Sequence, residues 1–252
     1  MLEVTHLSKV FGSFTAVRDV SFILRAGTIT GLIGPNGAGK TTLFDTIAGR
    51  YRPTAGRISF LGRRIDGLPP HRIFREGLVR TFQIPRPFPA MTVLENVMLV
   101  PLGQAGESFW KNWIGRETVR SEELACRERA QEILAFMELG PLAGEFAANL
   151  SGGQQKLLEL ARVLMARPRL ILLDEPGAGV NPTLLDAIME KLKELNARGI
   201  TFLIIEHNMD LIMALCDPVL VMAQGKLLLE GTPSEVRSDA RVLDAYLGGV
   251  PA

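Results

Sequence analysis

The residues best equipped for chemistry stand at 34–42, GPNGAGKTT. The spacing GxxxxGK followed by Thr suits a loop whose backbone N–H groups wrap a polyphosphate, with Lys40 reaching the terminal phosphates and the Thr41 hydroxyl open to Mg²⁺. Gly34, Gly37 and Gly39 allow positive φ and close backbone approach, and Pro35, Asn36, Ala38 and Thr42 complete the cradle. The loop is predicted to open into a helix, whose N-terminal dipole favours an anion. A plain glycine-rich turn is the bland alternative, but the flanks argue against it. Residues 28–33, TITGLI, predict a short buried strand, and residues 41–48 a helix stopped by Gly49, the order a phosphate-binding P-loop requires.

Other candidates lie downstream. Residues 170–173, LILL, form a continuous apolar run typical of a central parallel strand, and they deliver Asp174 and Glu175 to its carboxyl end, where open parallel sheets carry their sites. Asp174 suits holding Mg²⁺ through water; Glu175 suits polarising an attacking water. After a further strand at 201–205, His207, one of three histidines, could hydrogen-bond a γ-phosphate or the water that Glu175 orients. Residues 150–155, LSGGQQ, open a helix with Ser151 as N-cap and Gln154 in its first turn, and Gly152 and Gly153 are expected to leave backbone donors uncovered. With no counterpart of Lys40, this second anion-binding helix end suits closing over a triphosphate already bound. Gln83, at the end of a strand predicted over 78–82, could ligate Mg²⁺ through its carbonyl or orient a water. Phe11, in KVFGS, could stack on an adenine ring or pack in the core, and the residues alone do not choose.

The elements that must position these residues follow from periodicity. Runs at 2–7 and 20–24 predict β-structure before the loop, with a turn at 53–56, a strand at 57–61 and a short helical piece at 70–76. Three prolines at 85, 87 and 89 then forbid a regular helix and mark a connector. From 92 to 166 helical periodicity takes over, with apolar positions at Leu124, Ile133, Leu134 and Met137. Phe109, Trp110 and Trp113, within residues 102–114, are expected to pack inside that helical region rather than touch a membrane-embedded partner. A helix over 182–196, a hairpin of 219–222 with 226–230, and a helical tail complete the chain. The expected organisation is one domain, 1–252, with a nucleotide-binding core at 1–90 and 167–252 and a helical subdomain at 91–166.

With 252 residues, 47% of them hydrophobic, the chain can bury a sizeable core. A net charge of +1 gives no global reason to expect nucleic acid, and none is predicted as a partner. Cys126 and Cys216 are far apart without metal spacing, and read as buried, reduced thiols of a cytosolic protein. The N-terminus carries no leader pattern, and no apolar run reaches the roughly 18 residues of a membrane span. The chain is therefore expected neither to be secreted nor to cross a bilayer by itself.

Taken together, GPNGAGKTT, Gln83, LSGGQQ, LILLDEP and His207 resemble, over essentially the whole chain, the ATP-binding subunit of ABC transporters. The resemblance implies an α/β fold, a P-loop NTPase cassette with a mainly parallel core sheet, an antiparallel β region and an α-helical subdomain. It implies ATP and Mg²⁺ as cofactors, with Lys40 and Thr41 in the Walker A role, Asp174 in the Walker B metal role and Glu175 as catalytic base. Gln83 takes the Q-loop position, Ser151 and Gly153 the signature, His207 the switch and Phe11 the adenine stack. The segments RTFQIPRPFPAMTVLENV, DEPGAGVNP and IEHNMDLIMALCDPVLVMAQGKLLLEGTPSEV look, more closely, like the longer ATPase of branched-chain amino-acid uptake systems. Residues 102–120 sit where that subgroup carries its longer insertion. Asn181 replaces the D-loop Asp of many cassettes, as is usual in the subgroup, and takes a carboxylate from the dimer interface.

The partners so implied are transmembrane permease subunits docked beside Gln83 and the connector, and a second ABC ATPase, as a heterodimer or, in isolation, a homodimer. A periplasmic or extracellular solute-binding protein would act indirectly, and the chain would lie peripherally on the cytoplasmic face of the cell membrane. Other importers and lipid or lipopolysaccharide exporters are the alternative, since the cassette itself does not touch cargo. A repair-type ABC ATPase would need long heptad coiled coils and a translation-type factor two cassettes, and neither pattern is present. A stand-alone P-loop kinase would leave LSGGQQ unexplained.

Overall fold

Alternating apolar and polar residues build an antiparallel pair, β1 (Leu2–Phe11) and β2 (Phe14–Leu24), that brings Phe11 opposite Phe14. Both strands run further than their alternation predicted, because register shifts between Val4 and Leu7 and again on either side of Lys9 break the two-residue period. With β4 (Ala55–Phe60) and β5 (Arg63–Arg64) they form a four-stranded sheet in the order β2-β1-β4-β5. The computed structural model describes residues 1–81, 87–100 and 116–247. Gln83, Phe109, Trp110 and Trp113 lie outside the described residues, as does the end of the strand expected to run to Phe82.

A second sheet has the order β10-β9-β3-β8-β7-β6. Its members are β3 (Ile29–Ile33), β6 (Leu78–Arg80), β7 (Leu170–Asp174), β8 (Thr201–Ile205), β9 (Val219–Ala223) and β10 (Lys226–Gly231). All neighbours pair in parallel except β10, which returns antiparallel to β9. The runs ITGLI, LILLD and TFLII are buried at every position, which is why they read as continuous apolar strands rather than alternating ones.

Among the described residues the α-helices are α1 (Lys40–Ile47), α2 (Pro70–Arg75), α3 (Val93–Met98), α4 (Arg116–Phe136), α5 (Gly152–Met165), α6 (Pro182–Ala197), α7 (Met209–Leu215), α8 (Pro233–Ser238) and α9 (Ala240–Leu247). By internal contacts the chain divides into two compact units. The first comprises residues 1–83, 169–178 and 189–252, and the second residues 84–168 and 179–188. The first unit's core joins both sheets to α1 through buried Leu2, Leu32, Phe44, Ile58, Phe60 and Leu172.

In the second unit, α3, α4 and α5 pack on buried Val93, Val97, Ala130, Leu134, Met137, Leu158 and Ala161. Thr92 starts α3 with a capping box to Glu95, and fully buried Asn96 pins the preceding turn by accepting from the Phe88 N–H at 2.8 Å and donating to its carbonyl at 3.0 Å. Two expectations fail on α4. Leu124 is 54% exposed and Cys126 only half-buried, because among the described residues the fully buried face of this helix starts at Ala130. Cys216 is buried and free as expected, and burial, assisted by the nearby Glu206 charge, pushes its thiol up to about 12.

Candidate functional site

The P-loop leaves the carboxyl end of β3, an interior strand of the parallel sheet, and runs into α1. Two glycines are required by their surroundings. A Cβ on Gly34 would collide with the Met222 carbonyl oxygen and one on Gly39 with the Ala16 carbonyl oxygen, and both residues have positive φ, 148° and 97°. Gly39 is the N-cap of α1 in the left-handed region, and no side chain caps that helix. The amides of its first turn are thus left to an external acceptor. Asn36, Gly37 and Thr41 are exposed, Pro35 and Thr42 half-buried, and Ala38 buried beneath the loop.

Lys40 is only 6% exposed, and its Nζ folds back to donate to the Gly34 carbonyl at 2.7 Å and the Pro35 carbonyl at 3.1 Å. Burial pushes its ammonium below the usual lysine range, while the negative charges of Glu175 and Asp174 pull it back. A phosphate oxygen, being charged, is a stronger acceptor than either carbonyl.

Parallel pairing of β7 with β8 sets Asp174 beside Ile205, and the Glu175 N–H continues the ladder to the Ile205 carbonyl at 2.9 Å. Glu175 sits at φ 50°, a strained conformation for a residue with a side chain. Its Oε1 meets Nε2 of His207 at 2.9 Å. The two side chains are 19% and 45% exposed, so the pair is open enough to be reached by a ligand. Glu175, His207, Lys40, Thr41 and Thr42 all line one cavity of about 260 Å³. Asp174 is 8% exposed and instead receives Nη2 of Arg80 at 2.9 Å.

Sequence reasoning missed three residues here. Arg80, on β6, joins Asp174 to buried Asp45 of α1, to which its Nη1 donates. The one signal was a cation ending an apolar strand. Glu206, 4% exposed, binds two loops at once: its Oε1 accepts from the Gly177 N–H at 2.6 Å and its Oε2 from the His207 N–H at 2.9 Å. It therefore positions the backbone on both sides of the Glu175–His207 contact. Phe14, 63% exposed, lines the P-loop cavity. Phe11, 39% exposed, instead meets Tyr51 edge-on at 5.0 Å, with the Lys9 ammonium 4.7 Å over its ring.

The second expected grip is self-capped. Ser151 Oγ accepts from the Gln154 N–H at 3.3 Å, and Gln154 Oε1 accepts from the Ser151 N–H at 2.9 Å. The capping box occupies the Ser151 and Gln154 donors and does not involve those of Gly152 and Gly153. Gly152 faces open space, whereas a Cβ on Gly153 would collide with the Leu184 side chain.

Residues 17–178 match the family described as ABC transporter. The chain belongs to that family. As an ABC cassette it binds nucleotide and hydrolyses ATP in the service of transport. Residues 226–252 match a second family, described as branched-chain amino acid ATP-binding cassette transporter. The cassette is 40% identical to the high-affinity branched-chain amino acid transport ATP-binding protein BraF of Pseudomonas aeruginosa, over 98% of each chain. It is 41% identical to the corresponding LivG of Salmonella typhimurium, again over 98% of each. Its fold superposes on the ADP conformation of an ABC transporter cassette with a TM-score of 0.83 and 38% identity, covering 98% of both chains. Parallel core, antiparallel sheet and helical unit are thus the expected cassette parts.

Proposed function

We propose that this cassette powers uptake of branched-chain amino acids, hydrolysing ATP with Mg²⁺ at the P-loop cavity. The observation that carries the chemistry is the Glu175–His207 contact at 2.9 Å, in one cavity with Lys40. The match of residues 226–252, and relatives named for branched-chain amino acid transport along nearly their whole length, support the cargo.

In this reading Lys40 leaves its two loop carbonyls for the terminal phosphates, and the uncapped amides of α1 hold the phosphates in front of it. Phe11 stacks on the adenine, or Phe14, which lines the cavity, shares that role. Glu175 takes a proton from the attacking water while His207 holds the carboxylate in place. The donors fit Mg²⁺: Thr41 offers a hydroxyl, Asp174 a carboxylate and Gln83 a carbonyl. Among the described residues no cluster of three His, Cys, Asp or Glu would hold a metal unaided, as suits an ion bound largely through phosphates and water. Held by those donors, Mg²⁺ would supply positive charge against the phosphates.

Ser151, Gly152, Gly153 and Gln154 close on the nucleotide of a second ATPase, head to tail, so each site is shared by two chains. Among the described residues no helix is long and apolar enough to cross a membrane. Separate permease subunits therefore supply the path, reached from the cytoplasmic face beside Gln83 and Phe88, with a solute-binding protein delivering cargo on the far side. Residues 1–90 and 167–252 act as the nucleotide-binding core, and 91–166 as the signature subdomain. The test is reconstitution in vesicles with the permease and solute-binding proteins encoded beside it. ATP-dependent uptake of leucine, isoleucine and valine, lost in Lys40→Ala, is expected; hydrolysis that drives none of the three would overturn the cargo.

A further inference from the structure

A second cavity, of about 300 Å³, lies in the first unit between α7, α8 and α9, and shares no lining residue with the P-loop cavity. Its apolar wall is made by Met209 and Met213 of α7, Val236 of α8, and Val242 and Tyr246 of α9. Leu243 of α9 and two charged residues, Asp210 and Arg237, complete the lining. Both are exposed, and among the described residues neither side chain has an ion-pair or hydrogen-bond partner. One carboxylate and one guanidinium beside an apolar wall match a small zwitterion with an apolar side chain. The carboxylate would accept from the ligand's ammonium, and the planar guanidinium would grip its carboxylate through two parallel N–H···O bonds. Thioether side chains adapt to differently branched hydrocarbons. Ligand pockets begin at roughly 300 Å³, so a small molecule fits this one and a folded partner does not.

Two further observations link the cavity to cargo and to catalysis. The helices α8 and α9 fall inside residues 226–252, the segment matched by the branched-chain family and outside the general ABC match at 17–178. The walls also touch both sides of the nucleotide site. Met209 opens α7 two residues after His207, whose backbone Glu206 holds. Tyr246 stands with its hydroxyl at the Gly34 backbone, the first residue of the P-loop.

We propose that this cavity is a regulatory site for a branched-chain amino acid, through which accumulated cargo slows ATP turnover by acting on His207 and Gly34. The site rests on the proposed cargo but is tested apart from it. Calorimetry of the purified chain with L-leucine should show saturable binding. Arg237→Ala with L-leucine, and the wild type with leucinamide, which lacks the carboxylate, should each bind about tenfold more weakly or worse, the size of one lost charge-assisted hydrogen bond. Val242→Trp, checked for folding by circular dichroism, should fill the cavity and abolish binding. In the reconstituted transporter, leucine inside the ATP-containing compartment should lower hydrolysis by the wild type and leave Arg237→Ala, with its basal rate intact, unaffected.

No saturable binding to the wild type overturns the proposal, as does equal binding by Arg237→Ala and leucinamide, or turnover indifferent to leucine. Binding that appears only when residues 248–252 are deleted also overturns it, and gives the cavity to the chain's own end. A transporter that imports leucine while the chain fails to bind it sinks this site alone. One that imports no branched-chain amino acid sinks the proposed function.

Discussion

Helices α1 and α5 both begin at a glycine-rich turn, yet their first turns are built differently. The α1 end is capped by Gly39 in a left-handed conformation and no side chain, with Lys40 folded over the loop. The α5 end is closed on itself by the reciprocal Ser151–Gln154 bonds. One end therefore keeps its donors for a ligand and carries a cation; the other has already spent two donors on its own residues and carries none. The glycines differ too. Gly34 and Gly39 are held by backbone crowding and positive φ, Gly153 by the Leu184 side chain, and Gly152 by none of the described residues. A complete grip and an incomplete one fit the proposed sharing of each site between two chains.

The comparison breaks first at Lys40. Lys40→Ala should lower ATP turnover by about a hundredfold or more, as expected when a charged phosphate contact is removed from a preorganised site, and steady-state phosphate release checks it. Next comes association. Glu175→Gln keeps shape while removing the proposed base, so with ATP it should elute as a dimer on size-exclusion chromatography, alone or with the proposed second ATPase. Adding Ser151→Arg should return it to monomer, and an ATP-dependent dimer that survives this change would rule out the shared site.

The glycines give smaller effects. Gly39→Ala forces a side chain into positive φ against the Ala16 carbonyl and should cost about 2–4 kcal/mol in urea unfolding. Ser151→Ala, which removes only the cap, should cost about 1 kcal/mol by the same measurement. Gly152→Ala meets nothing and has an ordinary φ, so stability should change by no more than about 0.5 kcal/mol. If Gly152→Ala and Gly39→Ala proved equally damaging, the two helix ends would not differ as described.

The motifs and most elements were legible because they are local. GPNGAGKTT states its own turn chemistry, and LILL and TFLII announce strands buried on both faces by unbroken hydrophobicity. The lengths of β1 and β2 were not legible, since bulges near Leu7 and Lys9 erase the alternation that marks a strand. Leu124 and Cys126 misled for a related reason: helical period tells which face is apolar, not how far along the helix a neighbour covers it.

By itself, then, the sequence determined that a polyphosphate grip, an acidic strand end, a histidine and a second glycine-rich helix start stand in this order. Each is a property of a few consecutive residues. Only the tertiary structure decided which of them meet. Glu175 reaches His207, 32 residues on, because parallel pairing of β7 and β8 sets Asp174 beside Ile205 and the two strand ends open on the same edge. The same adjacency lets Glu206 tie both loops together, and the pairing of β6 with β7 puts Arg80 between Asp174 and Asp45. Hydrophobic period reports burial, whereas strand order and register are set by how crossovers pack, and that information is spread over the whole chain.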